Sequence, residues 1–458
     1  MSTLLDDALA ALSPPVVRPG DPEYDAARRV WNAAVDRYPR AVVRCRSVED
    51  VREVVALARQ HDVPLAVRGG GHSFAGHGTC HDGIVIDLGG MDQIEIDPQT
   101  PCARIGPGVR WGMVADAAAE HGLAPVGGHV SGVGVSGLLL GGGIGWLARE
   151  YGLACDNLLD STVVTADGRV VRAAEDENPD LFWGLRGGGG NFGIATSVTI
   201  QLHPLPTVYG GMLVYPRDRV HDVLVTLRDL NASSEQLSVM AALTTAPPAP
   251  FVPADLQGAP AVLVAICWTG DLTEGDSVIA PLRQIAEPAA DLVGPMPFAE
   301  LQHLFDGFNG SAGFHMRAHL LADLPDDAVA TLVHETDDLP PGMSSVLILP
   351  LGGAVARVDP AATAFAHRDV AYNLEIAGAW PPGENDVGPY QQWAERCWDR
   401  LRPWASAVEV NHVADEGPDR VRTAYPETTW DRLATVKATW DPDNVFRLNQ
   451  NVPPATSA

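Results

Sequence analysis

The chain has 458 residues, enough to bury a large core and to form two or more domains. Its formal charge of −27 (58 acidic side chains against 31 basic) argues against nucleic-acid phosphates and anionic membranes as partners. With 46% hydrophobic and 19% charged residues, it has the composition of a folded chain rather than a disordered one. The N-terminal stretch MSTLLDDALAALSPP lacks a basic leader and a long apolar core, so no secretory signal is expected. No uninterrupted apolar run reaches the roughly 18 residues that a membrane span needs. The six cysteines are scattered without a CxxC pair. That spacing predicts neither a metal site nor a disulfide framework, and it fits the reduced thiols of a cytoplasmic protein.

In chain order, residues 47–62 (SVEDVREVVALARQHD) predict a helix with a Ser47 cap, an acidic first turn and helical apolar spacing. VPLAVRG follows as a short strand ending in glycines. Residues 83–97 (GIVIDLGGMDQIEID) predict strand, turn, strand. Residues 108–126 predict a helix stopped by Gly122, and residues 160–174 a hairpin turning at Asp167-Gly168. The first 205 residues therefore resemble an α/β unit. From 206 to about 405 the character changes. Proline clusters at 247–250 and 339–341 separate apolar strand candidates such as AVLVAICWTG and SSVLILPLGG, which predict a separate antiparallel sheet with helices between its strands. Residues 430–446 predict a last helix ended by Asp-Pro.

Three glycine-rich stretches carry the chemistry. VRGGGHSFAGHG (67–78) runs three glycines into His72. GVGVSG (132–137) matches the dinucleotide fingerprint by letter, but no helix is predicted to open there, because the following LLL is cut by Gly141-Gly142-Gly143. RGGGGNFG (186–193) precedes a strand, IATSVTIQL, rather than a helix. Together they suggest an extended cofactor lying along loops, its pyrophosphate held by backbone amides.

RGGGHS, GVGVSGLLLGGGIGWLAREYGLACDNL, DLFWGLRGGGGNFG and WDPDNVFRLNQN occur in this order, and on them the chain resembles the FAD-linked oxidases of the vanillyl-alcohol oxidase superfamily, in their berberine-bridge-enzyme-like branch. The resemblance implies an α+β fold: a two-part FAD-binding domain of the PCMH type, residues 1–205 completed by 413–458, with a substrate domain inserted at 206–412 on an antiparallel sheet with flanking helices. It implies FAD bonded covalently to His72 through the flavin's C8 methyl group. It implies further cofactor contacts from Arg68, Gly69, Gly70, Gly71, Ser73 and His77 in the first loop. The second stretch would supply Gly128, Val130, Ser131, Val133, Gly134, Ser136, Gly137 and Gly142. Gly193, Ile194, Asn411, Asn449 and Asn451 would complete the set.

Some relatives carry a second link through a cysteine where this chain has Val130, so a singly linked flavin is implied. Val133 matches the gatekeeper position, of the size that admits oxygen, which implies an oxidase releasing hydrogen peroxide. Relatives with a Tyr-x-Asn motif have their tyrosine where VEVNHV (408–413) puts Glu409, two residues before Asn411. Read as a strand, this stretch would point both side chains to one face, making Glu409 the candidate base if burial raises its pKa. The alternative is a glutamate facing water or pairing with an arginine. Residues 346–351 (VLILPL), where other members place a charged group, are apolar here. Tyr372 is the second catalytic candidate, with Trp380 and His412 as possible wall residues. Expected partners are a small organic substrate, an alcohol, amine or activated carbon on a secondary metabolite or sugar, and molecular oxygen. Two other readings stand beside this one: a flavin-bearing cyclase or binding protein without net oxidation, and the nicotinamide dehydrogenase that GVGVSG suggests.

Overall fold

The computed structural model describes residues 2–308 and 312–456. Three sheets organise them. In the first, strands Val16–Val17, Ala41–Arg44, Ile84–Asp87 and Leu65–Arg68 lie side by side in that order. The last three are parallel and almost entirely buried. The helix Val48–His61 makes the crossover that parallel pairing requires. Ser47 and Asp50 close a reciprocal capping box at its start, and Val51, Val54, Val55 and Ala58 pack against Val43, Ile84 and Ile86. The parallel order delivers the chain after Arg68 to the sheet's C-terminal edge, where the RGGGH loop begins.

The second sheet is antiparallel and runs Ile94–Asp97, Cys102–Ile105, Ile194–Pro204, Leu158–Val164, Val170–Ala174, with Leu123–Pro125 also paired to Ile194–Pro204. The two strands expected in residues 83–97 both form, but they belong to different sheets. The hairpin turns at Gly168, with φ +82°. GVGVSG is not a strand-to-helix turn: residues 126–131 separate it from the strand Leu123–Pro125. Contrary to the sequence expectation, a helix does start there, Val135–Gly141, and it stops after seven residues.

The third sheet is antiparallel, with its strands drawn from Thr207–Pro216 through Ala405–Ala407. Its central order is Thr207–Pro216, Pro260–Trp268, Leu237–Thr245, Ser345–Pro350, Tyr372–Trp380, Gly313–Leu321. One face packs on the helices Val220–Ser233, Gly275–Ile285, Asp326–Glu335 and Gly388–Leu401 through Leu224, Ile279, Leu332 and Trp393. The other face is turned toward the glycine-rich loops. Because both faces are covered, the strands are buried along nearly their whole length and show little polar alternation in sequence. The helix Glu427–Trp440 ends at Asp441. There a buried Lys437–Asp441 pair (2.7 Å) also holds Asn191 O and Phe446 O, seating the C-terminal tail on the third glycine loop. No described helix is long and apolar enough to cross a membrane.

Candidate active site

A cavity of about 1240 Å³ lies between the glycine-rich loops and the third sheet. Its loop side is bare backbone. A Cβ built on Gly70 would sit 2.4 Å from Gly134 N, and one on Gly134 2.5 Å from Gly70 N. The RGGGH loop and the GVGVSG stretch thus touch main chain to main chain, a contact that any side chain would prevent. Gly137, Gly189 and Gly190 instead have open space where a Cβ would go and line the cavity. Backbone left uncovered in this way is what a bulky polar ligand needs for close approach. Buried polar atoms of three lining residues, Ser136 Oγ, His129 Nε2 and Asn449 Oδ1, have no partner within the protein. Buried groups of this kind are ordinarily paired. The cradle and its unpaired donors and acceptors fit a dinucleotide-sized group such as FAD.

His72 lines the cavity in a stack of rings. Its imidazole lies 5.3 Å from the Trp31 ring at 21°, and Trp31 stacks at 4.3 Å on Phe314 of the third sheet. Burial, and then the nearby Arg110 charge, lower the His72 pKa to about 4, against a smaller opposing effect from the Gly132 backbone. The ring is neutral at physiological pH and so keeps a nucleophilic lone pair. Burial likewise lowers His77 and His129, both lining residues, to about 4. Arg68 is committed locally, to Asp87 (2.9 Å) and Arg29 O (3.1 Å). The His77 amide donates to Ser73 Oγ.

The sheet side holds one ionisable cluster. Glu375 Oε1 lies 2.8 Å from His412 Nε2, and His412 Nδ1 contacts Glu409 Oε2. All three residues line the cavity. Burial opposes the charge on His412, but Glu375 and then Glu409 override it and hold the imidazole well above its usual pKa. Burial would raise Glu375, yet the His412 charge and hydrogen bond bring it below the usual carboxylate value. His412 is therefore an imidazolium paired with an ionised Glu375, and Glu409 holds its other nitrogen. Glu409 Oε1 also accepts from Asn411 Nδ2 (3.2 Å) and the Gly143 amide (3.4 Å). Asn411 Nδ2 bonds Leu138 O at 2.9 Å, and a Cβ on Gly141 would lie 2.0 Å from Asn411 Oδ1. Gly141 is thereby explained, since Asn411 lies against its backbone, whereas a Cβ on Gly143 would meet Ala154 and Leu138.

These positions sort the sequence expectations. Gly69, Gly70, Gly71, Val130, Val133, Gly134, Ser136, Gly137, Gly193, Ile194, Asn411 and Asn449 line the cavity with Arg68, His72, Ser73 and His77. Gly128, Ser131, Gly142 and Asn451 are not among its lining residues. Gly128 O accepts from Gln302, Ser131 pairs with Asp306, and a Cβ on Gly142 would press on Phe365 and Glu409. The strand expected at 408–413 does not form. Glu409 is extended and caps a single 3-10 turn, Val410–His412, so Glu409 and Asn411 share a site through that turn and not through strand alternation. Glu409 neither faces water nor pairs with an arginine; it is fully buried on His412. Tyr372 points away from the cavity. On its strand Glu375 and Ala377 face the cavity while Tyr372, Leu374 and Ile376 face the helices, and burial pushes the Tyr372 hydroxyl up to about 12. Trp380 lies off the lining as well.

Sequence reasoning missed Glu375. It sits directly across from Leu347, so the acid absent from VLILPL is supplied by the neighbouring strand. A lone glutamate inside the apolar run YNLEIAGAW was the available signal. Trp31 and His129 were missed too, and as ordinary loop residues they carried none.

The fold and cavity define a flavin-binding oxidoreductase, and comparison with known proteins agrees. Residues 39–174 match the family model described as FAD binding domain, and residues 410–453 match berberine and berberine like. An FAD-linked oxidoreductase of Bacillus subtilis (strain 168) is 32% identical over 448 residues, covering 96% of both chains. (R)-6-hydroxynicotine oxidase of Paenarthrobacter nicotinovorans is 32% identical over 467 residues, covering 96% of this chain and 97% of its own. The crystal structure of 6-hydroxy-D-nicotine oxidase from Arthrobacter nicotinovorans superposes with a TM-score of 0.87 at 29% identity, covering 97% of this chain and 99% of that one. The chain belongs to the berberine-bridge-enzyme-like FAD-linked oxidoreductases.

Proposed function

We propose that this enzyme is an oxidase whose FAD is bonded covalently to His72 and which passes the electrons of a small organic substrate to oxygen, releasing hydrogen peroxide. The observation that carries the reading is a neutral, ring-stacked His72 beside a glycine cradle, facing an ionised Glu375–His412 pair held by Glu409 across one cavity. When bound, FAD supplies the hydride acceptor. Gly70, Gly134, Gly137 and the 189–190 backbone would hold it, with Ser136, His129 and Asn449 meeting its polar edges. We take residues 1–205 with 413–458 as the cofactor part and 206–412 as the substrate part, a division supported by the third sheet beginning at Thr207.

Glu375 is the proton acceptor in this scheme. It is the carboxylate on the sheet wall, whereas Glu409 is fully enclosed and acts by holding His412. His412 keeps Glu375 ionised and oriented, so a substrate proton arriving at Glu375 meets a group ready to take it. Val130, where a second link would need a thiol, leaves His72 as the single attachment point. Val133 lines the cavity on the loop side and is assigned as the oxygen gate.

The test is direct. Acid-precipitated wild-type protein should keep its yellow colour in the pellet, and the holoenzyme should release peroxide with at least one member of an alcohol and amine panel. Colour found only in the supernatant refutes the covalent link; flavin reduced by substrate but stable in air refutes the oxidase assignment.

A further inference from the structure

We propose that the cavity takes an apolar ring molecule bearing a single O–H or N–H on the carbon to be oxidised, and that it rejects polyols and anions. The proposal rests on the oxidase reading above and names its substrate class.

The third sheet sets the character of the cavity's substrate wall. Its cavity-facing positions alternate along each strand, and they are Met240, Ala242, Leu263, Ala265, Met316 and Leu347, among others of the same kind. The mouth continues the character with Pro247, Pro248, Pro341 and Met343. The few polar groups there are partly spent. Thr244 Oγ1 donates to Ser344 O at 2.9 Å, and Gln257 Nε2 donates to both Ala249 O and Val252 O. A sugar brings a hydroxyl on nearly every carbon. Each one buried without a partner weakens binding by about tenfold or more. Ser345 and Thr245 are too few to answer them. Flat apolar surface, by contrast, is complementary to methionine, leucine and alanine side chains.

The electrostatics narrow the class again. The charge on His412 is already paired with Glu375 at 2.8 Å and held by Glu409 on its other nitrogen, and the lining histidines His72, His77 and His129 are neutral. Arg68 is already neutralised by Asp87. A substrate anion would find no unpaired cation among these lining residues to replace its lost water, while an O–H or N–H meets an ionised acceptor in Glu375. One donor suffices, because Glu375 is the acceptor the wall offers. The step balances: the O–H or N–H proton goes to Glu375, and the C–H leaves as hydride with its electron pair to FAD. The carbon and its heteroatom form a double bond, and O2 takes up the two electrons and two protons as H2O2.

The experiment titrates oxidised holoenzyme anaerobically with four probes, following the flavin spectrum for both band shifts (binding) and bleaching (reduction). The probes are naphthylmethanol, N-methyl-naphthylmethylamine, the ring-carboxylated naphthylmethanol, and cellobiose. The alcohol or the amine should bind at least about a hundredfold more tightly than cellobiose, and at least about tenfold more tightly than the carboxylated probe. Glu375→Gln should narrow the gap to the carboxylated probe. Whichever of the first two bleaches the flavin decides between O–H and N–H substrates. Cellobiose or the carboxylate binding as well as the apolar probes overturns the proposal, and so does failure of both apolar probes to bind. Tight binding of the apolar probes without bleaching upholds the substrate class and counts instead against the oxidase reading.

Discussion

The two sides of the cavity are made of different material. On the loop side the ligand meets main chain, at Gly137, Gly189 and Gly190, where the absence of side chains permits approach, and the loops themselves close on one another at Gly70 and Gly134. On the sheet side it meets side chains, mostly apolar, with one charged cluster whose members come from the strand Tyr372–Trp380 and from the turn Val410–His412 and its cap Glu409. A surface of backbone suits a ligand that never changes. A surface of side chains can be rewritten one residue at a time, and there the acid stands at Glu375 while Leu347 directly opposite carries none. The difference separates what holds the cofactor from what chooses the substrate.

Substitutions on each side should fail in different ways. The largest effect belongs to the loop side: His72→Ala should release all of its flavin on acid precipitation, read as loss of colour from the pellet, while Val130→Ala leaves the link intact. On the sheet side, Glu375→Gln should keep the flavin linked but slow its anaerobic reduction by about 100-fold or more, as loss of a general base does. Glu409→Gln, which acts only through His412, should slow it by about tenfold. An equal or reversed order would return Glu409 to the role of base.

Val133→Leu should slow reoxidation of the reduced flavin by a smaller factor, about tenfold at most, with reduction unchanged in stopped flow, because one methylene narrows a path only wide enough for a diatomic molecule. The loop-side histidines should also add to the protein's acid sensitivity. His72, His77 and His129 are lowered by burial to about 4, below the ordinary 6.5. Their contribution is present above pH 6.5 and is lost as pH falls toward 4, because the unfolded chain binds the protons first. His412, raised above 6.5, contributes with the opposite sign: its part is present below 6.5 and is lost as pH climbs through its raised value. The melting temperature of the flavin-free protein should therefore fall between pH 6.5 and 4, and a rise over that interval would contradict these environments. The smallest effect is expected at Tyr372→Phe, on the helix face of the sheet, with flavin reduction within about twofold of wild type.

The sequence by itself determined the cofactor side. Glycine positions report backbone geometry directly, because a side chain at Gly70 or Gly134 would collide with the main chain of the facing loop. The three glycine-rich loops could therefore be read as a cradle from the letters alone, and so could the capped helix Val48–His61 and the hairpin at Gly168. The substrate side was not legible in this way. Its strands are buried on both faces, so alternation does not reveal which residues look into the cavity, and Tyr372 and Glu375 could not be told apart by pattern. Which strand lies beside which is also a matter of long-range pairing, and it is this pairing that sets Glu375 across from Leu347 and brings it to His412, which its near neighbour Glu409 holds from the other side. Local backbone demands are written residue by residue. The partner of a buried charge is fixed only when tertiary packing removes the water that would otherwise have paired with it.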